Sequence, residues 1–476
     1  MGGNRWFPSI FQISSLTELV IAGGTVNTPE GPRNLDVHVS DGVITGLVEE
    51  LSAVPTGARV VDARGMYVLP GAIDVHVHSR DPGFPEKEDF GTLTLAAAAG
   101  GVTTVVDMPN TIPGVDSGGV LESKAALAHS KARVDFGLWG LIRSSTTAEQ
   151  LESLAQSGAV GFKAYLGYAF SLSRKQVLYT PDWDDPDLEA PPDYGTLLRL
   201  APVVAALGMP LVIHAEDPGI LAAFRRPLET YADVLASRPP EAEAVAISAA
   251  AAITDSFGAR LHIAHLSSAL GLHAAEAALR DGSRLSLETC PQYLWRSDED
   301  FAQLGTVMKM YPPVRTSADR QALIDGVDRG VVGIVATDHA PHTDAEKSRS
   351  LEEAAAGSPG VQTLYLSCLE LAKRMGDVWK APSWVCEAPA GLIGLSESKG
   401  RISPGFDADL VIVDPRRSTV FRPAVMRSKQ KHGALEGLES SFAIVEVYVR
   451  GRLVVRKGRA VGEPIGRMVS PRAVPA

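Results

Sequence analysis

The chain has 476 residues, 45% of them hydrophobic and 21% charged, with a formal net charge of −11. That much apolar side chain offsets the entropy of ordering a chain, so disorder is excluded as the main state. No run nears the roughly 20 uninterrupted apolar residues of a membrane-spanning helix, and the acidic balance argues against a nucleic-acid footprint. Three cysteines, Cys290, Cys368 and Cys386, cannot make a disulfide framework, which favours a reducing, cytoplasmic setting.

In chain order, residues 1–15 (MGGNRWFPSIFQISS) read as a tail, because Pro8 and several serines interrupt the apolar core a signal peptide needs. Short β-type runs follow at 18–25 (ELVIAGGT), 35–40 (LDVHVS) and 43–48 (VITGLV). The same texture returns at 408–415 and 443–459, with Arg450–Gly451 as the predicted hairpin turn. Two β-rich ends around a different middle predict one small β domain built from residues 16–69 and 399–465.

Residues 70–398 alternate short buried-strand runs with Ala-rich helical stretches. The runs are 71–78, 103–110, 134–141, 159–166, 210–216, 260–267, 284–291 and 332–339. About eight strand–helix units in this length predict a (β/α)₈ barrel of the TIM type. The alternative, an open doubly wound sheet, lacks its phosphate-binding glycine fingerprint here.

The chemistry-bearing residues gather at or near the ends of these runs. They are His76 and His78, Asn110, Lys163, His214, His265 and Asp338. In a barrel these ends face one mouth. A lone histidine such as His262 reads as a satisfied core residue, but four histidines, one lysine and one aspartate buried together need a shared reason. Metal ions supply one. His76 and His78, two apart on a strand, point the same way; His214 and His265 offer a second imidazole pair, and Asp338 an anionic ligand. Burial lowers the pKa of Lys163, and a neutral amine can add CO₂ to give a carbamate able to bridge two ions. The set predicts a two-metal hydrolytic site with two divalent ions, Zn²⁺ first in line but Mn²⁺, Co²⁺ or Fe²⁺ admitted.

The motifs GAIDVHVHSRDPG, AAAAGGVTTVVDMPNT, GFKAYL, VIHAE, HIAHLSSA, ETCPQYL, KMYPPVR and ATDHAPHTDAEK stand in this order along the chain. With them the sequence, from about residue 18 to 465, resembles the cyclic amidohydrolases: dihydroorotase, allantoinase and hydantoinase (dihydropyrimidinase). The resemblance implies a barrel beside a small β-sandwich formed by both termini. It implies two metals on His76, His78, carboxylated Lys163, His214, His265 and Asp338. It also implies a metal-activated water attacking a ring amide carbonyl, with Asp338 passing the proton to the leaving nitrogen. A homo-oligomer, dimer or tetramer, is expected.

Within the group, HSRDPG, MPNT and DHAPH look most like dihydroorotase, where residues matching Arg80, Asn110 and His342 grip the substrate carboxylate. A guanidinium fork, an amide and an imidazole suit that task. Other features point elsewhere. CPQYL carries Gln292 where dihydroorotases often carry His, and KAYLGY places Tyr168 where hydantoinases hold a Tyr that stabilises the oxyanion. KQKHGALEG and GEPIGR resemble allantoinase tails. The Pro- and Asp-rich stretch 171–195 is a candidate lid, with Tyr179, Trp183 and Tyr194 as candidate ring contacts. A different class, a non-catalytic dihydroorotase-like scaffold beside aspartate transcarbamoylase, fits less well because such chains tend to lose ligands and this one keeps six.

Overall fold

The computed structural model describes residues 18–49, 57–179 and 184–471. The expected tail lies outside the described residues, and so does Trp183.

Among the described residues, eight parallel strands form the barrel. They are Ala72–Val77, Val102–Asp107, Asp135–Leu138 continued by Gly140–Ile142, Phe162–Tyr165, Pro210–His214, Arg260–Ile263, Leu285–Thr289 and Ile334–Val335. The third strand is interrupted at Trp139, whose indole N–H donates to Val75 O at 2.9 Å. The ring closes beyond the short eighth strand, where Val77 pairs with His339 and His78 N donates to His339 O at 2.8 Å. Parallel strands covered by helices are buried on both faces, which is why they read as apolar runs without alternation.

The helices start where the sequence supplies caps. Asp89 accepts from Thr92 N at 2.9 Å to open Phe90–Ala99, and Asp193 does the same from Thr196 N at 2.7 Å for Tyr194–Leu207. The first of these helices stops at a glycine pair, with Gly101 at φ +79°, a conformation that strains any residue with a Cβ. Phe90 and Leu93 are fully buried against the barrel, each contributing about 1.5–3 kcal/mol by burial.

The two ends of the chain meet in one nine-stranded sheet. Leu19–Thr28, Gly31–Ser40 and Val43–Val48 form its antiparallel N-terminal part, and Tyr67–Pro70 pairs antiparallel with Leu410–Asp414 to join the C-terminal strands. Ala443–Val449 and Arg452–Arg456 are linked by Arg450–Gly451, both at positive φ (46° and 69°), the twist of a tight two-residue hairpin turn. Among the described residues, no helix is long and apolar enough to cross a membrane.

Stretch 171–195 is partly ordered into strands: Ala169–Ser171 pairs with Gln176–Leu178 and with Leu188–Glu189. Tyr194 does not face the barrel mouth, correcting its reading as a ring contact. It opens a helix and donates its hydroxyl to Asp217 at 2.8 Å.

Candidate active site

At the carboxyl ends of the barrel strands lies an open cavity of about 430 Å³. His76, His78, His214, His265 and Asp338 line it, together with Arg80 and the rings of Tyr165, Tyr168, Tyr179 and Tyr311. His76 Nε2 and His78 Nε2 both approach Asp338 Oδ1, at 3.3 and 2.9 Å, so three ligand atoms converge as the i, i+2 spacing predicts. Across the mouth, His214 Nδ1 and His265 Nε2 face each other at 3.0 Å.

Each of three imidazoles is held from behind by its other nitrogen. Glu288 Oε1 lies 2.5 Å from His76 Nδ1, Asn110 Oδ1 is 2.8 Å from His78 Nδ1, and Glu216 Oε2 is 2.7 Å from His214 Nε2. Partners of this kind fix ring orientation and tautomer for metal ligation. Burial pushes His78 down to about 4, so its ring is neutral and ready to donate a lone pair. Burial pushes Asp338 up, but His76 and His78 beside it prevail and hold its carboxyl below the usual range.

Lys163 is fully buried, and its Nζ has no hydrogen-bond partner among the described residues; the same is true of His265 Nδ1. Burial brings the Lys163 ammonium down to about 8, although Glu288 and Asp338 act against that shift. An orphaned amine beside converging imidazoles fits a site that takes up cations and a modified lysine. The backbone is strained here too. Arg80, His265 and Asp338 have φ of 60°, 38° and 48°, a left-handed conformation costing about 1–3 kcal/mol per residue.

Of the three residues expected to grip a carboxylate, only Arg80 lines the cavity. Asn110 is occupied, its Oδ1 facing His78 and its Nδ2 bonding the Tyr179 hydroxyl. His342 lies against Arg80 Nη2 at 3.2 Å and Ala356 O at 3.1 Å, behind the arginine. Tyr168 does reach the cavity, and Tyr179 packs edge-on against it at 4.8 Å. Gln292 is buried and donates to Thr337 O at 3.0 Å. Reading the sequence alone missed Glu216, Glu288, Arg238 and Tyr311. Glu216 stands two residues after His214 in VIHAE, the one spacing that could have flagged a shared face.

A parallel barrel presenting four imidazoles, a carboxylate and a buried lysine at its strand ends defines a metal-dependent type of hydrolase. The model of the amidohydrolase family matches residues 67–454. An allantoinase of Streptomyces avermitilis is 35% identical over 95% of this chain and 98% of its own. A dihydroorotase of Methanosarcina mazei is 33% identical over 86% of this chain and 88% of its own. Among solved structures, the L-hydantoinase (dihydropyrimidinase) of Arthrobacter aurescens superposes with a TM-score of 0.87 at 27% identity, covering 95% of this chain and 99% of that one. The chain belongs to the amidohydrolase family, as a cyclic amidohydrolase that cleaves C–N bonds in ring amides.

Proposed function

We propose that the substrate is allantoin, a five-membered cyclic ureide bearing a neutral ureido group, and that the ring is opened with two divalent ions, zinc in the first instance. The observation that carries this over dihydroorotate is that, of Arg80, Asn110 and His342, only Arg80 lines the cavity. With Asn110 committed to His78 and Tyr179, and His342 behind the guanidinium, a ring carboxylate would meet one of those three expected groups. A ureido carbonyl needs only that one. Similarity over nearly the whole length to chains named allantoinase supports the same choice. Dihydroorotate is the second reading, favoured by the charge of Arg80 at the cavity wall.

His76, His78 and Asp338 would hold one ion, and His214 with His265 the other. Lys163, as a carbamate made from its neutral amine and CO₂, would be their common ligand. The ions would supply an acidified water and a polarised carbonyl. The chain's own groups do the rest. Asp338, kept ionised, takes the proton of the attacking water and returns it to the leaving ring nitrogen. Tyr168 donates its hydroxyl to the oxygen that gains charge as the carbonyl carbon becomes tetrahedral. Glu288, Glu216 and Asn110 keep the imidazoles aimed. One water is consumed: its oxygen ends in the carboxylate, one of its protons goes to the leaving nitrogen, and the other is released to solvent as the new acid ionises. A cytoplasmic setting is part of the proposal, supported by three buried free thiols.

The test is a panel of allantoin, dihydroorotate, hydantoin and dihydrouracil with zinc-loaded enzyme. Allantoin should lead in kcat/KM by about 10-fold or more, because sites that hydrogen-bond a substituent discriminate against rings lacking it. Preference for dihydroorotate would install the second reading.

A further inference from the structure

Behind the cavity wall, a buried network leads from a metal-facing imidazole to the phenol of Tyr168. Arg238 ends the helix Tyr231–Ser237, which cannot continue because Pro239 and Pro240 follow. Its guanidinium does not line the cavity. Nε lies 3.1 and 3.2 Å from the two carboxylate oxygens of Glu216, and Nη2 lies 2.5 Å from Oε2. Nη2 also donates to the Tyr168 hydroxyl oxygen at 3.0 Å. The guanidinium is pinned over the Tyr311 ring, 3.9 Å from its centroid. The Arg238 carbonyl accepts from Arg315 Nη1 at 2.8 Å, and Arg315 Nε is anchored on Ser267 Oγ at 3.0 Å.

This frame fixes the hydrogen-bonding sense of Tyr168. A phenol oxygen that accepts from a guanidinium must send its own proton elsewhere. Among the described residues that proton meets no acceptor, while the ring lies in the cavity wall, 4.7 Å from the His214 ring. A hydroxyl that accepts from a cation is also a stronger donor.

We propose that Arg238 is a positioning residue for ring opening: by donating to Tyr168 Oη it turns the phenol O–H into the cavity, toward the oxygen of the tetrahedral intermediate. Glu216 needs only a cation, but reaching the phenol as well needs the fork of an arginine. The inference rests on the oxyanion role given to Tyr168 above.

The test is a double-mutant cycle in the zinc-loaded enzyme, with metal content and thermal unfolding as controls. Tyr168→Phe should lower kcat roughly 10²-fold, as loss of one oxyanion donor does. Arg238→Met should lower kcat by roughly 10-fold with KM little changed, because the interaction matters in the transition state. Combined with Tyr168→Phe, it should add less than about a further 2-fold, since the phenol it serves is gone. Arg238→Lys keeps a charge for Glu216 and loses the fork. It should melt near wild type yet lose kcat as the Met variant does, and it replaces that variant in the cycle should Arg238→Met fail to fold. Equal losses from Arg238 substitution in both backgrounds, or wild-type kcat for Arg238→Lys, overturn the positioning role alone. A Tyr168→Phe enzyme within a few-fold of wild type overturns the oxyanion reading, and the inference falls with it.

Discussion

Among the described residues, two places gather groups that could hold a metal ion, and they differ in what already fills them. At the junction of barrel and terminal sheet, Asp135, Asp407 and Asp409 converge. Lys399 Nζ sits among them, at 2.9, 2.8 and 2.7 Å, and Arg450 closes the cluster on Asp135. That centre has its cation in the chain. It ties the start of the third barrel strand to the hairpin turn of the other sheet, an ion-paired weld. At the barrel mouth, His76, His78 and Asp338 also converge, but the nearby lysine, Lys163, makes no ion pair among the described residues and burial drives it toward neutrality. A carboxylate cluster that supplies its own ammonium is finished. An imidazole cluster held from behind by Glu288, Glu216 and Asn110 is built to receive something.

The largest expected effect comes from removing the lysine at the mouth. Lys163→Ala should abolish turnover and reduce bound metal from two ions per chain, with added acetate or formate partly restoring rate by standing in for the carbamate. Two tightly held ions and normal activity in that variant would erase the distinction drawn between the clusters. Asp338→Asn should fold and lose roughly 10²–10⁴ in kcat, because an amide cannot carry the proton. Stopped assays of folded protein check it, and a variant within a few-fold of wild type would deny Asp338 its role.

The same operation on the other cluster should have the opposite character. Lys399→Met leaves buried carboxylates without their ammonium, at a cost of about 3–5 kcal/mol in stability. Denaturant melts should show that loss while kcat of the folded enzyme stays near wild type. Loss of activity without loss of stability would place the weld in the chemistry.

What could be read from the sequence follows from this division. The barrel was legible because parallel strands buried on both faces write themselves as apolar runs, and the candidate ligands stood out because a polar residue closing such a run has few other uses. The partners behind the candidate ligands were not legible. Glu288 reaches His76 across 212 residues and Arg238 reaches Tyr168 across 70, distances that only barrel closure and the loops over the mouth define. Asn110 was seen at its strand end, but its commitment to His78 depends on how two neighbouring strands are registered. The short strands Arg59–Asp62 and Tyr67–Pro70 carry too few residues to show a period, and pairing with the first and the later strands makes them.

Acid should separate metal-free from loaded protein by a smaller margin. His78 is depressed to about 4 in the fold against an ordinary 6.5, chiefly by burial. The unfolded chain therefore takes up a proton that the folded chain refuses. Stability is full above about pH 6.5 and falls as pH drops toward 4, by about 3 kcal/mol for this group. Chelator-treated protein should show this slope in urea melts across that window; a flat profile would mean that His78 is not buried neutral. The smallest effect concerns the substituent. Arg80→Ala should cost allantoin about 1.5–3 kcal/mol in kcat/KM, the value of a hydrogen bond with one charged partner. A much larger, selective loss on dihydroorotate by an enzyme that prefers it would restore the carboxylate grip.

If the mouth cluster works only when it holds cations the chain does not supply, stripping those cations should stop turnover. The direct measurement is a zinc titration of chelator-stripped enzyme, following allantoin hydrolysis against ions bound per chain. Turnover should be absent in the stripped protein and should rise with added zinc until it levels off at two ions. Full turnover by the stripped chain, or a plateau at one ion, would contradict the two-metal reading.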